Sequence, residues 1–102
     1  MWVECGMSVS VTMRITAANG KMTELKERLI SNLAGTREFT GAEQITLLEP
    51  REHVDVLLLI EQWDKIESFQ AYKKWRNESG TSVLAGDLVA KAPDVTISDI
   101  LF

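Results

Sequence analysis

Ile60-Glu61-Gln62-Trp63-Asp64-Lys65-Ile66-Glu67-Ser68-Phe69-Gln70-Ala71-Tyr72 holds a strand end, a helix start and an aromatic helix face in one short stretch. Just upstream, Val56-Leu57-Leu58-Leu59-Ile60 is continuously apolar, and such a run predicts a strand covered on both faces, here Val54 to Trp63. Downstream, Asp64 stands where a helix N-cap belongs, and Glu67 follows at capping-box spacing. Ile66, Phe69, Tyr72 and Trp75 then recur every third residue, which predicts a helix with one aromatic face, ending near Ser79-Gly80.

Nearer the N-terminus, Val9, Val11, Met13 and Ile15 alternate with polar residues, the period of a half-buried first strand. Asn19-Gly20 closes it. Met22, Leu25, Leu29 and Leu33 recur at helical spacing, with Gly35 placed as a C-cap and 36–41 as a loop. Ala42 to Leu48 reads as a second strand, and Glu49 to His53 as a turn, because Pro50 cannot serve a central strand. A helical turn is expected over Thr81 to Val89, weakened by Gly86. Pro93 resets the chain, and Val95 to Phe102 forms the last strand. The order β-α-β-β-α-β predicts an α+β, ferredoxin-like fold, a four-stranded antiparallel sheet with both helices on one face. Leu and Val on both faces of the third strand leave the other sheet face needing cover. A second copy of the sheet is the simplest cover, so a homodimer through the sheet faces is expected.

The chain of 102 residues is expected to form a single domain over 1–102, with 1–7 a flexible or peripheral extension. A net charge of −4, and no helix face crowded with Lys and Arg, argue against nucleic-acid binding. Lys73, Lys74 and Arg76, flanked by Glu67 and Glu78, read as a solvated face. Cys5 is the only cysteine, so neither an internal disulfide nor a cysteine-based metal site is expected, and a reducing cytoplasm is the natural compartment. No apolar run approaches the ~20 residues a membrane span needs. Met1 to Gly6 carries Glu4 and no basic cluster, unlike a signal peptide, and Met7 is an alternative start. A Gly-rich nucleotide loop, a metal-ligand cluster and a Ser/His/Asp set are all missing, which is compatible with chemistry that needs no cofactor or metal.

Glu61-Gln62-Trp63 with its capped helix, Gly20-Lys21 at the first helix, and Thr36-Arg37 with Gly41 before the second strand together resemble the antibiotic biosynthesis monooxygenase family. The resemblance spans Val9 to Phe102. It implies a dimeric α+β barrel, two sheets packed face to face, with a pocket between each subunit's sheet and helices. It also implies oxidation of quinols, anthrones or other electron-rich aromatics by O2 without flavin or metal. Such a pocket must bind a flat apolar ring, accept a proton and exclude water. On this implication Tyr72 and Trp63 are the candidate catalytic residues. Tyr72 would hold a substrate oxygen, and Trp63 would wall the pocket with Phe69. Met13, Leu59 and Trp75 complete the candidate ligand-binding set, for a small apolar or aromatic ligand.

The family pattern is not kept everywhere. Quinol-oxidising members place His nine residues after this Trp, where the chain has Tyr72, a hydrogen-bond donor rather than a base at neutral pH. Anthrone oxygenases use Asn and Tyr where Leu59 and Phe69 stand. The haem-degrading branch uses Asn, Trp and His where Met13, Tyr72 and Ser82 stand, which argues against haem degradation. His53, the one histidine, falls in the turn before the third strand. Each residue also has a plain structural reading. Trp63 can be a packing anchor, Phe69 and Tyr72 core, Asp64 and Glu67 a cap, Arg14 an ion-pair partner on the polar face, and Arg37 a loop tether. Two function classes therefore fit the sequence: a cofactor-independent monooxygenase, and a non-catalytic dimeric module that binds an apolar metabolite or serves a stress or regulatory partner.

Overall fold

Alternation along the strands decides which side chains meet the helices. The computed structural model describes residues 8–102, so the expectations for Cys5, Met7 and the 1–7 extension lie outside the described residues. The elements are β1 (Val9–Thr16), α1 (Met22–Glu38), β2 (Ala42–Leu48), β3 (Val56–Trp63), α2 (Ile66–Ser79), a 3-10 turn (Val83–Ala85) and β4 (Asp94–Asp99). The strands lie in the order β2-β3-β1-β4, each antiparallel to its neighbours. This is the ferredoxin-like arrangement expected from the chain.

In the register, Met13 lies between Leu59 and Val95, and Val11 between Glu61 and Ile97. Val9, Val11 and Ile15 of β1 and Leu57, Leu59 and Trp63 of β3 form the sheet side of the core. Leu25, Leu29 and Leu33 of α1 and Phe69 and Tyr72 of α2 pack against them. The other parity of the sheet is open. Thr12, Leu58 and Ile60 are half-buried there, and Arg14 and Leu48 are exposed. The continuous apolar run of β3 thus divides into a fully covered set and a partly covered set.

Several boundaries differ from expectation, each for a local reason. α1 continues through Gly35 to Glu38, because Thr36 is buried and contacts α2, and Phe39 then leaves the helix in an extended conformation. β3 starts at Val56 rather than Val54, since Asp55 turns the chain at φ 63 and Val54 is exposed. α2 starts at Ile66 without a capping box. The Asp64 N–H is held by the Gly41 carbonyl at 2.9 Å, and the Asp64 carboxylate takes the Ser68 hydroxyl at 2.5 Å instead of capping the backbone. Gly80 ends α2 in the left-handed region, close to the expected place. β4 is shorter than expected. Ahead of it, Ala18 N–H donates to Leu88 O and Ala90 N–H to Thr16 O, which seats Leu88 in the core. Among the described residues no helix is long and apolar enough to cross a membrane.

Candidate functional site

The pleat of β3 places Leu59, Glu61 and Trp63 on the helix-facing side of the sheet. Two of these are core residues. The third is a carboxylate, and it is only 1% exposed. Its Oε1 accepts the Trp63 indole N–H at 3.1 Å. Burial pushes the Glu61 carboxyl above its ordinary range, while the Trp63 hydrogen bond and the positive charge of Arg76 pull it partly back.

Above the sheet, α2 brings Tyr72 and Arg76 to one face, one turn apart. Arg76 Nε donates to the Tyr72 hydroxyl at 2.9 Å. Its Nη2 donates to the Asn32 carbonyl at 2.7 Å and to Thr36 Oγ1 at 3.2 Å, both on α1. Its Nη1 reaches Thr81 Oγ1 at 3.2 Å. The Tyr72 and Thr36 hydroxyls are 2.7 Å apart. One guanidinium therefore fastens α1, α2 and the segment after α2. The Tyr72 hydroxyl, with two partners, keeps capacity for one more. Lys73 and Lys74 are exposed as the sequence suggests, but Arg76 of the same basic run is buried.

Between these layers lies a cavity of about 320 Å³. Met13, Leu59, Glu61 and Val95 form its sheet side, and Leu29 and Leu33 belong to its α1 wall. Phe69, Tyr72 and Arg76 line it from α2, and Val83, Leu84 and Pro93 close the side toward β4. Its volume falls at the low end of the ~300–1,000 Å³ usual for small-molecule sites, and its walls are mainly apolar with few polar groups.

Of the residues expected at the site, Met13, Leu59, Phe69 and Tyr72 meet at this cavity. Trp63 lies beneath it, fully buried, with its ring 5.1 Å from that of Tyr72 and 6.0 Å from that of Phe69. Trp75 sits outside at 40% exposure, stacked near Phe39 and lying 4.6 Å from the Arg76 guanidinium. His53 is exposed in its turn. Arg37 donates to the Ile45 carbonyl at 3.0 Å and so ties α1 to β2. Among the described residues no group of His, Cys, Asp and Glu is placed to hold a metal ion. Glu61, Arg76 and Thr36 were not singled out as site residues from sequence. Glu61 was recoverable, since it shares strand parity with Leu59 and Trp63. Arg76 and Thr36 gave no signal, because their burial depends on how the two helices meet.

The family model for antibiotic biosynthesis monooxygenase matches residues 8–78. The chain belongs to the antibiotic biosynthesis monooxygenase family. Similar solved structures agree on the fold. PA3566 of Pseudomonas aeruginosa superposes with a TM-score of 0.82 at 20% identity, over 98% of this chain and 100% of that one. Rv0793 of Mycobacterium tuberculosis gives 0.80 at 19% identity, over 93% of this chain and 96% of that one. A conserved protein of Methanosarcina mazei gives 0.81 at 15%, over 92% and 93% respectively. At such identities these likenesses speak to the fold of the family domain and not to its substrate. No curated protein matches the sequence.

Proposed function

We propose that the chain is a cofactor-independent monooxygenase that uses O2 to oxidise a small quinol-like or polycyclic aromatic. The observation that carries this reading is the mainly apolar cavity between sheet and helices, with the Glu61 carboxyl on its sheet side and Tyr72 and Arg76 on its helix side, in a member of this family. Phe69, Leu59 and Met13 supply flat apolar contact, and the remaining capacity of the Tyr72 hydroxyl is directed to a ring oxygen. A mainly apolar wall limits the water around an electron-rich anion while it meets O2. With an anthrone the balance closes without an outside reductant. One oxygen atom becomes the new carbonyl, and the other leaves as water with the two hydrogens of the ring methylene.

The assembly that goes with this reading is a cytoplasmic homodimer joined through the open sheet faces. Half-buried Leu58 and Ile60 and exposed Leu48 support it, since a partner sheet would cover them. O2 uptake with reduced naphthoquinols and anthrones tests the activity. Turnover above buffer that falls on Tyr72→Phe supports it, and rates equal to buffer across both series refute it. One observation favours a non-catalytic binding module: the Tyr72 hydroxyl is already engaged twice within the fold. A tight ligand found by native mass spectrometry, without turnover, would establish that alternative.

A further inference from the structure

We propose that Glu61 is the proton acceptor of the cavity, and that the ligand it selects is a hydroxyarene, a flat ring system bearing an ionisable hydroxyl. The inference rests on the same pocket as the proposed oxidation and specifies its acid–base group and ligand class. Glu61 Oε1 is occupied by the Trp63 N–H, the one side-chain hydrogen bond the carboxyl makes among the described residues. Yet among those residues no sealed-off side-chain oxygen or nitrogen is left without a partner. The second carboxyl oxygen is therefore open to the cavity that Glu61 lines.

A purely structural buried carboxylate has its lone pairs satisfied, commonly by a contacting cation. Glu61 has a neutral indole donor instead. Arg76 is close enough to influence it, but its hydrogen bonds go to Tyr72, Thr36, Asn32 and Thr81. The remaining surroundings of Glu61 hold few charges. β1 and β2 oppose it with Val11 and Ile45, and β4 brings Val95 to the cavity. α1 adds Leu29, Leu33 and the neutral Asn32. α2 adds Tyr72, Arg76 and the exposed Lys73, and the segment after α2 adds Ser82, Val83 and Leu84. An anion so placed, with one oxygen free and an apolar slot in front of it, calls for a ligand that is apolar around a single strong donor. In the step itself the ring O–H bond breaks, the proton passes to the free Glu61 oxygen, and the electron pair stays on the ring oxygen. The carboxyl becomes neutral, which relieves its burial, and the arenolate is the species able to give an electron to O2. Burial also raises the basicity of Glu61 toward that of the hydroxyl, which favours the transfer. The Trp63 N–H fixes the carboxyl's orientation.

Binding of 1-naphthol and 1-methoxynaphthalene under argon tests this without any turnover. The two are nearly equal in shape, and only the first can donate. A hydrogen bond to a charged acceptor gives naphthol an expected advantage of about 10- to 100-fold, largest at mildly alkaline pH and shrinking as Glu61 is protonated in acid. Glu61→Gln, which keeps an acceptor for Trp63, is expected to abolish that pH dependence. Glu61→Leu is expected to remove the preference. Equal affinities in the unaltered protein, a preference that survives in Glu61→Leu, or no binding of either compound overturns the proposal. The two ideas fail separately. Naphthol selectivity without O2 uptake would sink the oxidation but not the role of Glu61. Turnover whose pH profile is unchanged in Glu61→Gln would sink the role of Glu61 but not the oxidation.

Discussion

Replacing Arg76 with Met keeps most of the aliphatic stem and deletes the guanidinium that joins three segments. Two of its hydrogen bonds are short, to Asn32 O at 2.7 Å and to the Tyr72 hydroxyl at 2.9 Å, and two are longer, at 3.2 Å to Thr36 and Thr81. Hydrogen bonds from a charged group contribute roughly 1.5–3 kcal/mol each and do not add fully. Against them stands the relief of no longer burying a charge. Partners are not orphaned outright, since Tyr72 and Thr36 still bond each other and Thr81 retains the Ser79 hydroxyl. Weighing the two short bonds most gives a loss of about 2–4 kcal/mol. For a domain of this size that lowers Tm by roughly 10–30 °C. The loss should also grow with pH. Without Arg76 the Glu61 pKa rises further, and an acid whose folded pKa lies above its unfolded value loses stability as pH rises through the folded value. Urea titration followed by tryptophan fluorescence at acid and alkaline pH measures both effects. Lys74→Met is the control, because Lys74 is exposed and only 4.0 Å from Glu78, and it should stay within about 0.5 kcal/mol. A loss for Arg76→Met below about 1 kcal/mol refutes the clamp, and a loss independent of pH refutes the coupling of Arg76 to Glu61.

Three other expectations follow. Glu61→Gln should stabilise the protein at neutral and alkaline pH, with the gain vanishing below the unfolded carboxyl pKa near ~4.3, and denaturation midpoints across pH measure it. A gain that instead grew toward acid would contradict the raised pKa. Gly41→Ala should cost at least about 2 kcal/mol, because Gly41 sits at φ +93 and a Cβ there would collide with Ser68 and Asp64, so a midpoint shift worth less than about 0.5 kcal/mol would show that the turn yields easily. Ile60→Lys should convert a dimer to monomers with the far-ultraviolet circular dichroism unchanged, as read by sedimentation, and a monomeric unaltered protein at micromolar concentration would end the dimer proposal.

The fold was legible because its main signals are local. Alternation in β1, the Asn19-Gly20 break, Gly80 after α2 and the apolar run of β3 each act within a few residues. The site was legible only where a single element decides it. Phe69, Tyr72, Leu59 and Met13 reach the cavity because strand parity and helix spacing put them there. Trp63 obeys the same parity but lies deeper, under Tyr72 and Phe69, and Trp75 falls past the edge of the helix face that meets the sheet. The burial of Arg76 and Thr36 is a joint property of two helices far apart in sequence, which no local window contains. The capping-box spacing at Asp64 and Glu67 gave way to other partners, with the Asp64 N–H held by the Gly41 carbonyl across the fold and its carboxylate taking the Ser68 hydroxyl one turn on.

The Arg76 hydrogen bonds run through the same wall that a ligand would touch, so changing ligand range on that side also loosens the molecule. The opposite wall is different. Ala92, Pro93 and Val95 border the cavity with no side-chain hydrogen bond among them, and Val95 is already 49% exposed. Anyone reshaping this protein for larger or differently substituted rings should carve from that flank, where new volume can be opened without untying the helices.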